Sequence, residues 1–265
     1  MGTLYSRSIG VLSAKGEYIF HLDSDDMFLD FDVFSTMTHI MENGNFDLVS
    51  FRALYSEGKN ILTNKIYEHR MANQNSDKVL FQPDLGLYVL RPGKNLYNYI
   101  VKDNYLWNKC IKTKLYQNAL NNLGKKRFSR YMIYEEDRAI IYVLFNISKS
   151  IKYISKYGIL IILTLGSVTK RRYPINEYFF SKLYFVDIVI DFSKETYENK
   201  KILVYLITHL LSMPKSNDFD NFDKINKNLF ISCLNRIFNN NFISKEDKLE
   251  IKKKIKNNSL KKLFF

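Results

Sequence analysis

The feature that most constrains this chain is a compact β-favouring run, Glu17 to Leu22, that ends directly in Asp23-Ser24-Asp25-Asp26. Three carboxylates within four residues repel one another unless something cationic sits among them. At the carboxyl end of a strand in an α/β sheet that partner is often a ligand, because side chains there line the crevice. A hard divalent cation such as Mg²⁺ or Mn²⁺ suits the cluster, since it prefers carboxylate oxygen and also holds phosphate oxygens. The competing reading is that Asp26 or Asp30 caps the following helix while the other acids are solvated. An EF-hand is excluded: counting from Asp23, the sixth position is Phe28 where Gly is needed and the twelfth is Phe34 where Glu is needed.

The remaining pattern is of two kinds. Phe31 to Met41 has helical apolar spacing closed by Glu42-Asn43-Gly44, and Asp47 to Ala53 reads as a second strand. Tyr97 to Ala119 reads as two helical pieces around Trp107-Asn108-Lys109, and Glu135 to Phe145 as a helix with acids in its first turn. Beyond Tyr173-Pro174 the chain becomes a series of helices: Ile175 to Tyr197, Lys200 to Met213, Phe222 to Phe238 and Lys245 to Leu263. The first is apolar on every side and is expected to be buried. The expected organisation is therefore a mixed α/β part, residues 1–174, and a helical part, residues 175–265.

Composition limits the classes of function. A chain that is 46% apolar and 15% aromatic must bury a core, which excludes disorder and low-complexity behaviour. The longest apolar candidate, Tyr157 to Val168, is strand-sized, and no run approaches the ~20 residues of a bilayer span. Cys110 and Cys233 are too few for a disulfide scaffold, so a reducing compartment is expected. With no leader-like apolar start, the expectation is a cytoplasmic protein, with peripheral contact at the inner face of a membrane the one elaboration. His21, His39, His69 and His209 show no metal-ligand spacing, and His21 reads as a packed or edge residue of its strand.

Arg7-Ser8-Ile9-Gly10, then Ala14-Lys15-Gly16-Glu17-Tyr18-Ile19, then Leu22-Asp23-Ser24-Asp25-Asp26 follow one another within about twenty residues. The succession resembles the centre of the family-2 inverting glycosyltransferases of GT-A type, whose pattern runs Ala-Arg-Asn-x-Gly, Ala-x-Gly-Glu-Tyr-Ile, Leu-Asp-Ser-Asp-Asp. Ser8 departs from it, standing where the family has Asn. Leu106-Trp107-Asn108-Lys109 looks like the family's Trp-x-Lys segment, Glu135-Glu136-Asp137 like its Glu-Asp pair, and Gly166-Ser167-Val168-Thr169 like its Gly-Ser-x-Thr segment. Read singly, Trp107 is more often a core residue and the acids more often first-turn helix residues.

The resemblance implies a GT-A-like fold and transfer of a sugar, with inversion, from a nucleotide-diphosphate donor to a glycan, lipid-linked or surface-polysaccharide acceptor. It implies donor contacts from Arg7, Asp23, Asp25 and Asp26, a Mn²⁺ or Mg²⁺ ion on Asp23 and Asp25, and acceptor contacts from Trp107, Asn108 and Lys109. Asp137 would be the general base, with Glu136 beside it. The family pattern normally begins with a βαβα unit that recognises the nucleobase, whereas six residues precede Arg7. Relative to that pattern the chain is expected to be N-terminally truncated and to bind donor weakly by itself.

The rival reading is a non-catalytic remnant or split-protein subunit that works as a basic module for a membrane or partner. Its basis is the formal charge of +13, with Lys125-Lys126-Arg127, Lys170-Arg171-Arg172 and the lysine-rich Lys245 to Phe265 as patches. No specific nucleic-acid partner is expected, because no zinc finger, RNP-type or helix-turn-helix signature is present.

Overall fold

A computed structural model describes residues 2–57, 66–68, 78–81, 91–92, 99–100, 105–132, 134–163, 175–192, 197–212, 224–241 and 243–256. Helix α1 (Thr3–Ser13) buries Leu4, Ser8 and Val11, one stripe at helical spacing. The chain then enters β1 (Tyr18–Phe20), the heart of the run read as Glu17 to Leu22, and β2 (Met27–Phe28). Helix α2 (Val33–Gly44) seats Val33, Met37 and Met41 against β3 (Leu48–Glu57). Short strands β4 (Ile66–Glu68), β5 (Val79–Phe81), β6 (Arg91–Pro92) and β7 (Tyr99–Ile100) precede β8 (Lys109–Lys112).

Helices α3 (Thr113–Leu123), α4 (Lys125–Phe128) and α5 (Glu136–Ile147) lead to the long strand β9 (Ser150–Leu163). The helical series follows: α6 (Ile175–Phe192), α7 (Tyr197–Ser212), α8 (Lys224–Phe238) and α9 (Lys245–Lys256). Two helical pieces were expected around Trp107; the segment after it is instead a strand, because Lys109–Lys112 pairs with both β1 and β3. Helix begins only at Thr113.

The sheet has the order β1-β8-β3-β9-β2, with β4 added to β3 and β5 to β9. Strands β3 and β9 run parallel, while β8 is antiparallel to both β1 and β3. Consequently β1, β3 and β9 point the same way, and the start of β8 lies where β1 ends: Phe20 faces Cys110. Topology alone thus carries the acids after β1 and the Trp107 segment before β8 to one end of the sheet.

Gly158 admits the Phe51 ring, which a Cβ there would meet at 2.6 Å. Its carbonyl accepts from the Leu29 N–H at 3.1 Å, so this close approach also fixes the loop after β2.

One buried cluster runs from Leu4 through α5 to Phe185, Phe230 and Ile255, so the change of character at Pro174 is not a break in the core. Electrostatics reinforce the junction. Asp187 on α6 is buried and accepts from Arg127 Nε (3.1 Å), Arg130 Nη1 (2.7 Å) and Arg236 Nη1 (2.9 Å), while Asp191 pairs with Arg127 and Arg236. Burial works against the Asp187 charge, but Arg130 and Arg127 outweigh it and hold the carboxyl below its ordinary range. Asp187→Asn keeps the shape and loses the charge; a cost of about 2 kcal/mol in denaturant unfolding is expected.

In α9 Ile251 and Ile255 are buried toward α7, leaving lysines and Leu249 outward. The apolar stripe that suggested a membrane-surface helix is therefore used in the core over the described residues, and Phe264-Phe265 lie outside them. Among the described residues no helix is long and apolar enough to cross a membrane. Cys110 and Cys233 are free and buried.

Candidate functional site

Arg7 lies on α1 beside the buried stripe, close to where β1 ends and α5 begins. Its Nη2 donates to Asp23 Oδ1 at 2.8 Å, its Nη1 donates to Asp137 Oδ1, and Glu136 Oε1 stands 3.7 Å away. One guanidinium therefore gathers residues from α1, the acidic strand end and the first turn of α5, the last of them 130 positions along the chain. Burial opposes the Arg7 charge, yet Asp137, Asp23 and Glu136 together hold it protonated beyond its ordinary range.

The acids are aimed by the entry into α5. Glu135 takes a left-handed conformation (φ 63°), costly for a residue with a Cβ, and its carbonyl accepts the Ala139 N–H at 2.8 Å. Arg138 and Lys182 pair with its side chain and hold this turn. Asp137 Oδ2 in turn accepts the Leu106 N–H at 3.4 Å, which ties the Trp107 segment to the same carboxylate.

Three carboxylates share one guanidinium, so a negative excess remains. Burial first, then the Asp137 charge, pushes Glu136 up to about 8, with Arg7 opposing. Asp137 is likewise raised by burial, against the pull of Arg7. The pair titrates as a unit and retains a proton more readily than an ordinary carboxylate. In the fold Glu136 carries a proton at pH values where the unfolded chain has lost it. Its favourable contribution is thus complete below 4.5 and is lost as pH climbs toward about 8. Glu136→Gln should then stabilise the protein at pH 8 by about 1–3 kcal/mol and leave it unchanged near pH 4, read from melting curves at the two pH values.

The other expected site residues are placed differently. Asp25 is exposed on the turn. Asp26 turns away from Arg7: its Oδ1 accepts the Ile162 N–H at 3.0 Å, pinning the acidic turn to β9. It caps no helix, and Asp32, the residue before α2, makes no side-chain cap either. Burial, then the charges of Asp25 and Asp23, push Asp26 up to about 6.

Trp107, Asn108 and Lys109, the expected acceptor contacts, are all buried. Trp107 is 7% exposed within the cluster of Val33, Met37 and Phe51, its ring stacked on Tyr105 at 4.7 Å. Asn108 and Lys109 are fully buried. Asn108 Nδ2 donates to Ser50 Oγ (3.2 Å) and the Phe51 carbonyl (3.1 Å). Lys109 Nζ donates to the Tyr105 carbonyl (2.5 Å) and Asn108 Oδ1 (2.8 Å). A buried ammonium needs such partners, and these three residues form an internal brace that holds the Leu106 N–H against Asp137. Ser8 serves packing too, its Oγ donating to the Leu4 carbonyl at 2.7 Å. Gly166-Ser167-Val168-Thr169 lies outside the described residues.

His21 and Tyr116 were not read as site residues. Their rings lie 5.5 Å apart beneath Arg7, and His21 Nε2 and the Tyr116 hydroxyl are both buried without a hydrogen bond. Burial and then Arg7 lower His21 to about 4, so it stays neutral.

The donor set at the acidic turn fits a cation with few protein ligands. Asp25 is exposed, and Asp23 has an oxygen not committed to Arg7. Among the described residues no group of three or more His, Cys, Asp or Glu forms a ready cage. Two carboxylate ligands, with water and phosphate oxygens completing the shell, is the usual Mg²⁺ pattern.

No family model matches this chain, and no curated protein does. Among solved structures its fold is similar to S. aureus TarS 1–349 in complex with UDP-GlcNAc. The TM-score is 0.58 at 13% identity, over 97% of this chain and 70% of that one. A structure of TarS 1–349 in complex with UDP aligns over 96% of this chain and 67% of that one, at 13% identity and TM-score 0.48. The likeness is one of fold, and it agrees with the mixed α/β, GT-A-like class expected from the sequence.

Proposed function

We propose that the chain is an inverting, family-2-like glycosyltransferase that moves a sugar from a nucleotide-diphosphate donor to the hydroxyl of a glycan or lipid-linked acceptor. The observation that carries this reading is the Arg7 bridge between Asp23 and Asp137, which joins the two acidic motifs of the sequence at one point. The fold likeness to a protein solved with UDP-GlcNAc supports a nucleotide-sugar donor.

The chemistry asks two things of the protein. The acceptor hydroxyl must lose its proton as its oxygen bonds to the anomeric carbon, and Asp137 accepts that proton on its carboxylate. Its raised affinity for protons suits the task, since a base working near neutral pH loses little driving force. The bond from the anomeric carbon to the diphosphate oxygen breaks on the opposite face, so configuration inverts. Asp23 and Asp25 would hold a Mn²⁺ or Mg²⁺ ion, which supplies offsetting positive charge for the departing diphosphate. Arg7 keeps Asp23 and Asp137 in fixed relation, and the Leu106 N–H orients the base.

The test is release of UDP from UDP-GlcNAc, supplied at millimolar concentration with Mn²⁺ and candidate glycan acceptors. Expected is turnover that stops on chelation and resumes with added Mn²⁺, and that Asp25→Asn lowers by at least about tenfold. Turnover indifferent to chelation and to Asp25→Asn would remove the metal assignment. Failure of calorimetry to detect any nucleotide sugar would remove the donor assignment.

A further inference from the structure

A cavity of about 400 Å³ lies at the opposite end of β1 from the acidic turn, lined by Ala14, Lys15, Gly16, Glu17, Lys112, Thr113, Lys114 and Gln117. At ~3.3 Å per strand residue it is on the order of 20 Å from Asp23. It opens onto the N-terminus of α3, an eleven-residue helix with no side-chain cap. The first-turn N–H groups of a helix have no intrahelical partner and carry the positive end of its dipole.

The lining adds charge and a donor. Lys15 and Lys114 are exposed, and among the described residues no ion pair holds either. Lys112 Nζ donates to Asn45 Oδ1 (2.9 Å) and Asp47 Oδ1 (3.3 Å), and Glu17 is the acid of the rim. Gln117 is spent in binding the Val11 and Ala14 carbonyls at 3.1 and 3.2 Å. Thr113 supplies an independent sign. It is 5% exposed and its N–H donates to the Glu17 carbonyl at 2.9 Å, yet its hydroxyl is buried with no hydrogen bond. Native proteins rarely leave such a group unmatched.

We propose that this cavity binds a phosphate group. A tetrahedral oxyanion offers enough acceptors to engage the Lys15 and Lys114 ammonium groups, the Thr113 hydroxyl and the first-turn amides of α3 that follow Thr113, the usual chemistry of phosphate at a helix N-terminus. The group is supplied either by a soluble phosphate compound or by a phospholipid headgroup. The site is separate from Asp23 and Asp137 and stands whether or not the transferase reading does.

Amide NMR of the ¹⁵N-labelled full chain during titration with inorganic phosphate tests it. Saturable shifts confined to residues 14–17 and 112–117 are expected. Affinity should fall by about tenfold or more in the double variant Lys15→Glu/Lys114→Glu, and measurably in Thr113→Val. Both lysines are exposed, so an unchanged melting temperature verifies that the double variant folds. Vesicles of phosphatidylcholine with and without phosphatidylglycerol separate the sources. Sedimentation of the parent but not the double variant with the anionic vesicles assigns the phosphate to lipid, and saturable free-phosphate binding with no such difference assigns it to a soluble compound. Absence of saturable shifts, together with equal vesicle recovery of parent and double variant, overturns the proposal.

Discussion

Asp137→Asn lowers sugar transfer by about 10²–10⁴-fold, the usual share of a positioned base, while the fold survives. The substitution is isosteric, and its single amide oxygen keeps one of the two bonds that Oδ1 and Oδ2 now accept, from Arg7 Nη1 and from the Leu106 N–H. Donor binding should be preserved, so the loss appears in kcat rather than in the calorimetric affinity for UDP-GlcNAc. Because burial raises Asp137 above ordinary carboxylates, the acid limb of the parent's kcat/KM profile lies above the usual aspartate range, with activity rising as pH rises through it. Turnover that survived the change within about threefold would assign the base elsewhere, the Brønsted contribution being too large to hide.

Arg7→Ala gives the second large effect, and it is one of stability as well as activity. Removing the guanidinium leaves Asp23, Glu136 and Asp137 facing one another across a part-buried gap. Breaking a buried pair costs about 3–5 kcal/mol; with Asp23 44% exposed, about 2–4 kcal/mol is expected here. The sign with pH is distinctive. Losing the cation drives the carboxylates further up, so the variant is weakest at alkaline pH and recovers as they take up protons on acidification. Urea unfolding at pH 8 and pH 5 reads this directly; a pH-independent deficit would mean that Arg7 acts through packing alone. Arg7→Lys should restore part of the stability and little of the activity, since an ammonium does not reproduce the two-pronged geometry.

What the sequence made legible follows the reach of its signals. The acidic strand end, the Glu136-Asp137 turn and the helical series were readable because each is local: a propensity switch, a first-turn preference, a 3.6-residue spacing. The Arg7–Asp137 bridge is not local, and no periodicity links positions so far apart. The resemblance to a Trp-x-Lys segment implies acceptor contact for Lys109, whereas the Tyr105 carbonyl and Asn108 hold it inside. Strand pairing with β1 and β3 likewise overrode the helical look of the segment after Trp107. One missed feature had a signal: Asp187 and Asp191 stand one turn apart in an otherwise apolar helix, and buried acids need cations. Arg127 and Arg130, three residues apart, were the available match.

That arginine-and-aspartate junction bears on how the molecule comes apart. Arg127 and Arg130 precede α5, which carries Asp137, and Arg236 belongs to α8, while Asp187 and Asp191 stand between them on α6. Loosening the helical series would strand charges on both sides and uncover the apolar face of α5 in the same event. Local opening of the helical series is then costly, because it separates charges as well as apolar surface. Amide exchange at Glu136 and Asp137 would report the integrity of α6 and α8 as well as that of α5.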